Sequence, residues 1–239
     1  MLYTMRAPAA RRFKDAVYAQ LARILGALAS PRRIELLGLL GESPRTVEAV
    51  ARLAGMSTAN ASQHLRVLHR ARLVEAVRSG PYVEYRLADE RIARLLRLVS
   101  ELAEARLAEI RDLMAEALRS VAALESVSQE ELRRRVRHGE VVVLDVRPPE
   151  EYRAGHLPGA LSVPLSRLHA QLATLPRDRD IVAYCRGRYC LMAVEAVRVL
   201  RRAGRRAQRM EDGVADWRAR GWKVERAPAS ARRAAAGTR

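Results

Sequence analysis

The passage from Asp180-Ile181-Val182-Ala183 into Tyr184-Cys185-Arg186-Gly187-Arg188-Tyr189-Cys190 constrains this chain most, because it holds both cysteines. A short apolar run stops at a cysteine, and Met192, Val194, Val197, Val199 and Leu200 then recur at roughly helical spacing. The pattern reads as strand, loop, helix. Such a loop sets Cys185 beside the unpaired N–H groups of a helix start. Those amides, with Arg186 and Arg188, favour thiolate over thiol, so Cys185 is the expected nucleophile. The other reading is a buried small hydrophobe plus a spare thiol, and it leaves the two arginines unexplained.

The surrounding hundred residues alternate between strand and helix signals. Ser128 with Glu131 makes a capping box for a helix reaching about Val136, closed by His138-Gly139. Val141-Val142-Val143-Leu144-Asp145-Val146 reads as a buried strand carrying a carboxylate at its end. Helical segments are expected at Glu150 to about Ala154 and at Ser166 to Leu175. A short strand near Ala207-Met210 and a helix over Val214-Arg220 complete the alternation, which implies a mainly parallel sheet. Sites in such sheets lie beyond the carboxyl ends of the strands, where Cys185 falls.

Four motifs follow one another here: Leu144-Asp145-Val146-Arg147 with Glu150-Glu151-Tyr152, then Gly155-His156-Leu157-Pro158-Gly159-Ala160, the cysteine loop, and Glu211-Asp212-Gly213-Val214-Ala215-Asp216-Trp217. In these motifs and their order residues 125–226 resemble the rhodanese domain. The resemblance implies that Cys185 takes a sulfane sulfur from a donor such as thiosulfate or a persulfide and passes it to a thiol acceptor, with no cofactor. Arg186, Gly187, Arg188, Tyr189 and Cys190 would hold the anionic donor through loop amides and charge, Gly187 letting the backbone come close. Asp145 and Arg147 are expected to brace the neighbouring loop. His156 is either a base or, more in keeping with a pre-formed thiolate, a support for the turn before Pro158. Many rhodaneses carry an arginine five residues after the cysteine, where this chain has Cys190. Phosphatase-like and arsenate-reducing loops need one six residues after, where Leu191 stands. Cys190 is either a resolving thiol for Cys185 or a buried cysteine at the start of a helix.

The first half carries a different series. Val17, Leu21, Ile24, Leu25 and Leu28 give an amphipathic helix from Phe13. Ser30-Pro31 then starts another that runs to Gly41. Thr46 caps a short helix through Ala54, Gly55 supplies the turn, and Ser57 caps a helix from Thr58 to Arg70 that buries Ala61, Leu65 and Leu68. Helix, glycine turn, helix is the helix-turn-helix arrangement. Its second helix would present Ser57, Thr58, Asn60, Gln63, His64 and Arg66 to base edges. Leu73 to Arg78 and Val83 to Leu87 alternate as two strands about Ser79-Gly80-Pro81-Tyr82. They would form a wing that brings Arg78 and Arg86 to phosphate or the minor groove. A solvated polar face on a helical domain is the plainer alternative. Ala29-Ser30-Pro31-Arg32-Arg33 and Ser62-Gln63-His64-Leu65-Arg66-Val67-Leu68 resemble the ArsR family of winged-helix repressors over roughly residues 15–95. Metal-sensing members use cysteines or histidines that residues 1–120 lack at the corresponding places, so no metal site is expected.

Between the halves, apolar residues recur at helical spacing from Ile92 to about Leu124 without turn residues. A helix of about 30 residues would extend some 45 Å, longer than one small domain needs. A second copy covering its stripe would pair two recognition helices for a near-palindromic operator. The net charge of +17 permits nucleic-acid binding but does not locate it. Basic residues exceed acidic ones 20 to 13 in residues 1–120 and 24 to 14 in 121–239. No uncharged apolar run is long enough to span a bilayer, and Arg11, Arg12, Lys14 and Asp15 interrupt the beginning, so a cytoplasmic protein with reduced thiols is expected.

The expected architecture has two domains. A mainly α winged helix-turn-helix over 1–95 and a linking, dimerising helix over 96–124 precede an α/β rhodanese-like domain over 125–226 and a disordered tail over 227–239. The expected function is a dimeric regulator of double-stranded DNA that senses or transfers sulfane sulfur through a Cys185 persulfide. The alternative is a sulfurtransferase whose DNA-binding half only localises or dimerises it.

Overall fold

The structure is a computed structural model and describes residues 7–118 and 126–227. It divides into two compact units, one ending at Ile92 and the other beginning at Ala93.

In the first unit α1 (Ala7–Leu28) and α2 (Pro31–Glu42) precede a two-residue strand β1 (Arg45–Thr46), α3 (Val47–Leu53) and α4 (Thr58–Arg70). Strands β2 (Val74–Ser79) and β3 (Tyr82–Leu87) close it as an antiparallel hairpin, and the three strands lie in the order β1-β3-β2. Register pairs Ser79 with Tyr82, so the turn is only Gly80-Pro81, with Gly80 at φ 61°, a conformation glycine adopts at no steric cost. Leu36, Leu37, Val50, Ala61, Leu65 and Leu68 are fully buried and form the centre of the unit. Pro31 stands at the first position of α2, but the Ser30 side chain makes no capping bond there. Strand β1 carried no signal of its own: two residues become a strand only because β3 lies alongside.

The second unit opens with α5 (Arg91–Arg106), whose first two residues belong to the preceding one, and α6 (Ala108–Leu118). The single long helix expected from the apolar stripe is therefore corrected: it breaks at Leu107. The carbonyls of Glu104 and Ala105, which would otherwise bond the amides four residues on, accept instead from the Arg111 guanidinium at 3.1 and 3.5 Å. No glycine or proline marks the spot, so periodicity alone ran through it. The expected boundary at residue 95 falls inside α5. Residues 119–124 of the linking helix and 228–239 of the tail lie outside the described residues.

A five-stranded parallel sheet follows, in the order β4-β8-β7-β5-β6. Its strands are β4 (Ser126–Val127), β5 (Val141–Asp145), β6 (Leu161–Ser162), β7 (Asp180–Tyr184) and β8 (Ala207–Met210). Helices α7 (Gln129–Arg137), α8 (Pro149–Ala154), α9 (Leu168–Gln171), α10 (Met192–Arg202) and α11 (Val214–Ala219) connect them. One apolar cluster joins Val142, Leu144 and Ile181 to Val197 and Leu200 of α10. Another joins Val143, Val182 and Tyr184 to Leu132 and Trp217, so the central strands are covered on both faces. The edge strands β4 and β6 were not foreseen. The segment 166–175 is one turn of α-helix between two 3₁₀ turns, not a continuous helix. At α7, Ser128 caps the Glu131 amide at 3.2 Å, while the Glu131 carboxylate pairs with Arg134 at 2.7 Å instead of completing the box.

Candidate functional site

Two sites were expected, and each can be built from its residues. In the first unit, Ser57 accepts the Asn60 amide at 3.2 Å and so starts α4. With Ala61, Leu65 and Leu68 turned inward, the other face carries Thr58, Asn60, Gln63 and Arg66 exposed and His64 half-buried. On the hairpin, Arg86 is bound across the strands to Glu75 at 2.8 Å, its register partner. Arg78 is exposed and has no ion-pair partner among the described residues. The two wing arginines therefore differ: one cation is already neutralised and the other is not.

In the second unit the cysteine loop runs from the end of β7 to the start of α10 over a floor of buried polar groups. Asp145 and Tyr184 are register partners on β5 and β7, and the Tyr184 hydroxyl donates to the Asp145 carboxylate at 2.6 Å. That hydroxyl also accepts the Leu157 amide at 3.2 Å. Burial, then the Asp145 charge, pushes the Tyr184 phenol well above its usual range, so it stays a donor. Arg147 is fully buried. It donates to Asp145 at 2.6 Å and to the Gly155 carbonyl at 2.8 Å, and lies 3.8 Å from buried Glu151. Glu151 in turn holds Arg186 with two bonds, at 2.7 and 3.0 Å. Asp145, Arg147, Glu151 and Arg186 thus form a continuous charged chain from beneath the sheet end to the residue after Cys185.

The remaining loop residues are equally engaged. Arg188 donates to Glu104 at 2.6 Å and lies near Asp212 and Glu211, and the Tyr189 hydroxyl donates to the other Glu104 oxygen at 2.8 Å. Gly187 takes φ 130°, a left-handed backbone that a side chain would strain. Gly213, before α11, packs so closely that a β carbon there would lie 2.4 Å from the Arg186 carbonyl oxygen. His156 is buried, stacks on Tyr152 at 3.7 Å and directs Nδ1 to the Tyr152 carbonyl at 2.8 Å, an arrangement that supports the turn.

The protonation expected of the loop is corrected. Cys185 is only 2% exposed, and its Sγ donates to the Cys190 carbonyl at 3.2 Å. Its thiol is raised well above the ordinary cysteine value, first by sharing a proton with the Cys190 sulfur and then by burial. The amides of Gly187 and Ala193 only partly offset this. Cys190 is lowered to about 6. The Cys185 hydrogen bond contributes most, with the amides of Met192 and Arg186 and the Arg186 charge acting the same way against burial. The two thiols are coupled: Cys185 is held toward the thiol and Cys190 is drawn toward the thiolate. Arg186 and Arg188, counted as donor-binding cations, are both bound to carboxylates. Sequence reasoning missed Glu104, Glu151, Tyr184, Glu211 and Asp212. Two signals were available: Glu151 lies one helical turn from Arg147, and a hydroxyl ending a buried strand needs a partner. Glu104 gave none, being 84 residues from Arg188.

Among the described residues no cluster of His, Cys, Asp and Glu suits a metal ion, and no helix is long and apolar enough to cross a membrane. Residues 30–76 match the bacterial regulatory protein, arsR family, and residues 128–220 match the rhodanese-like domain. The HTH-type transcriptional regulator Rv0324 of Mycobacterium tuberculosis is 46% identical over 212 residues, 89% of this chain and 93% of that protein. A sulfurtransferase of Allochromatium vinosum is 38% identical over 47 residues, 20% of this chain and 44% of that protein. Among solved structures, the homodimeric winged helix-turn-helix DNA-binding domain Mb0332 of Mycobacterium bovis is 39% identical, with 45% of this chain and 94% of that one covered and a TM-score of 0.39. With both halves matched in order and one relative alike along nearly its whole length, the chain belongs to the ArsR family of helix-turn-helix transcriptional regulators and carries a rhodanese-like domain after its DNA-binding one.

Proposed function

We propose that this regulator controls its operator in response to sulfane sulfur, which the rhodanese-like domain accepts on Cys185. The observation that carries the reading is a cysteine pair at the tip of β7: Cys185 donates to the Cys190 carbonyl at 3.2 Å, and the loop that joins them runs straight into α10. Passage of the Cys185 proton to Cys190, whose pKa is lowered, leaves Cys185 as the attacking thiolate without any outside base. With thiosulfate, the Cys185 thiolate bonds to the outer sulfur, the sulfur–sulfur bond of the donor breaks, and sulfite leaves with the electron pair. With a thiol persulfide, R–S–SH and the Cys185 thiolate give R–S⁻ and Cys185–S–SH. Cys190, ionised again, can then attack the Cys185 sulfur and expel hydrosulfide, leaving a disulfide. A thiol so covered excludes bulky partners and suits a donor presenting one terminal sulfur atom.

On the DNA side, Gln63 and its neighbours on α4 read base edges while Arg78 meets phosphate. A homodimer is favoured by the apolar side chains left exposed in the single chain: Phe13, Tyr18, Leu21 and Leu25 on α1, and Leu98, Val99 and Leu102 on α5. DNA as partner puts the protein in the cytoplasm.

The test is operator affinity of the full chain before and after treatment with thiosulfate or a persulfide, with the Cys185 mass followed in parallel. A changed affinity that tracks Cys185 loading supports sensing; unchanged affinity with Cys185 fully persulfidated removes it. The short match to a sulfurtransferase favours a second reading, an enzyme that the DNA-binding half only localises. Thiocyanate formed from cyanide and thiosulfate, lost in Cys185→Ser, would support that one.

A further inference from the structure

The carboxylate of Glu104, on α5, is spent entirely on the cysteine loop. One oxygen accepts from Arg188 at 2.6 Å and the other from the Tyr189 hydroxyl at 2.8 Å. Arg188 also lies 3.6 Å from Asp212 and 3.8 Å from Glu211. Arg186, the other loop cation, is held by Glu151. Each loop guanidinium therefore already has a carboxylate on it. Glu151, Glu211 and Asp212 are in turn shared with Arg147, Arg209 and Arg220, which leaves the Glu104 carboxylate as the one of the four with no second guanidinium against it among the described residues. A dianion entering this loop finds each cation already paired and must displace a carboxylate from it. A donor with one charge or none meets far less opposition.

We propose that Glu104 is a positioning residue that sets the donor class: by holding Arg188 and Tyr189 it reserves Cys185 for a thiol-borne hydrodisulfide, R–S–SH, and disfavours dianionic thiosulfate. The inference rests on the sulfur-accepting reading above. The reaction it selects is the balanced exchange already written, in which the terminal sulfur of R–S–SH bonds to Cys185 and R–S⁻ departs. Glu104 does not touch the reacting atoms and acts through the charge it neutralises on Arg188.

The experiment measures the rate of Cys185 persulfide formation by mass spectrometry on the full chain, with thiosulfate and with the hydrodisulfide of 2-mercaptoethanol as the two donors. The wild-type chain is expected to prefer the hydrodisulfide. Glu104→Gln keeps an acceptor for Tyr189 and removes the charge. It is expected to raise kcat/KM for thiosulfate about tenfold, mainly through KM, and to leave the hydrodisulfide within about twofold. A second measurement needs no variant: raising the salt concentration should speed thiosulfate loading of the wild-type chain by weakening the Arg188–Glu104 pair, whereas a loop with a free cation would be slowed. Loading with both donors at equal efficiency, or a Glu104→Gln effect equal on both, overturns the proposal and leaves the sulfur-accepting reading standing. Failure of Cys185 to load from either donor overturns both.

Discussion

The face of α4 and the cysteine loop obey opposite rules. On α4 the polar side chains Thr58, Asn60, Gln63 and Arg66 project outward, and Arg78 on the wing stands exposed. In the loop, Arg186, Arg188 and Tyr189 are each bound by a carboxylate, and Cys185 is covered. A surface that reads another molecule must keep its donors and acceptors for that molecule. The cysteine loop instead fixes its own geometry, and it does so with charges buried where leaving one unpaired is costly. The contrast teaches that loop arginines in a sequence do not by themselves define an anion site.

The contrast can be broken most directly at Arg147. Arg147→Met would leave Asp145 and Glu151 without their buried cation, and is expected to cost about 3–5 kcal/mol. The two tryptophans of the chain, Trp217 and Trp222, both lie in this domain and report its unfolding in urea. A midpoint unchanged from wild type would show that the floor beneath the loop is not structural. The next effect is in the thiols. Because the Cys190 pKa is lowered to about 6, its thiolate is present above that pH and lost below it. Alkylation of Cys190 should therefore rise with a midpoint near 6 and be nearly complete at pH 7. Cys185 should remain unlabelled at pH 7 and gain reactivity in Cys190→Ser, which removes the shared proton and the neighbouring charge. Equal labelling of both at pH 7 would refute the assignment of the charge.

The reading face should respond quite differently. Gln63→Ala is expected to cost about 1–3 kcal/mol on the preferred operator and almost nothing on unrelated DNA, with stability changed by no more than about 0.5 kcal/mol. Arg78→Ala should give the smallest effect. It weakens binding to all sequences alike and lowers the slope of affinity against salt by about one. If both variants acted equally on unrelated DNA, the division between base reading and phosphate contact would fail.

The fold was legible wherever a residue's role is local. Apolar spacing located α4 and its buried Ala61, Leu65 and Leu68, and the run Val141–Val146 located the strand that ends at Asp145. The apolar run Asp180–Ala183, followed by helical spacing from Met192, put Cys185 at the tip of a strand, and it follows β7 directly. What could not be read is set by partners far along the chain. Strands β1, β4 and β6 exist through their neighbours in the sheets, and the break at Leu107 depends on Arg111 reaching back. The commitments of Arg186 and Arg188 required Glu151 and Glu104, 35 and 84 residues away. A lowered Cys185 thiol was expected because nearby amides were counted, while the second sulfur and the burial that raise it were not.

At Gly213 the molecule has removed even a methyl group so that the main chain of Arg186 can rest against it. Two main chains meet there with no side chain between them, so any larger residue at 213 would push the loop after Cys185 away from α11 and strain its anchors on Glu151 and Glu104.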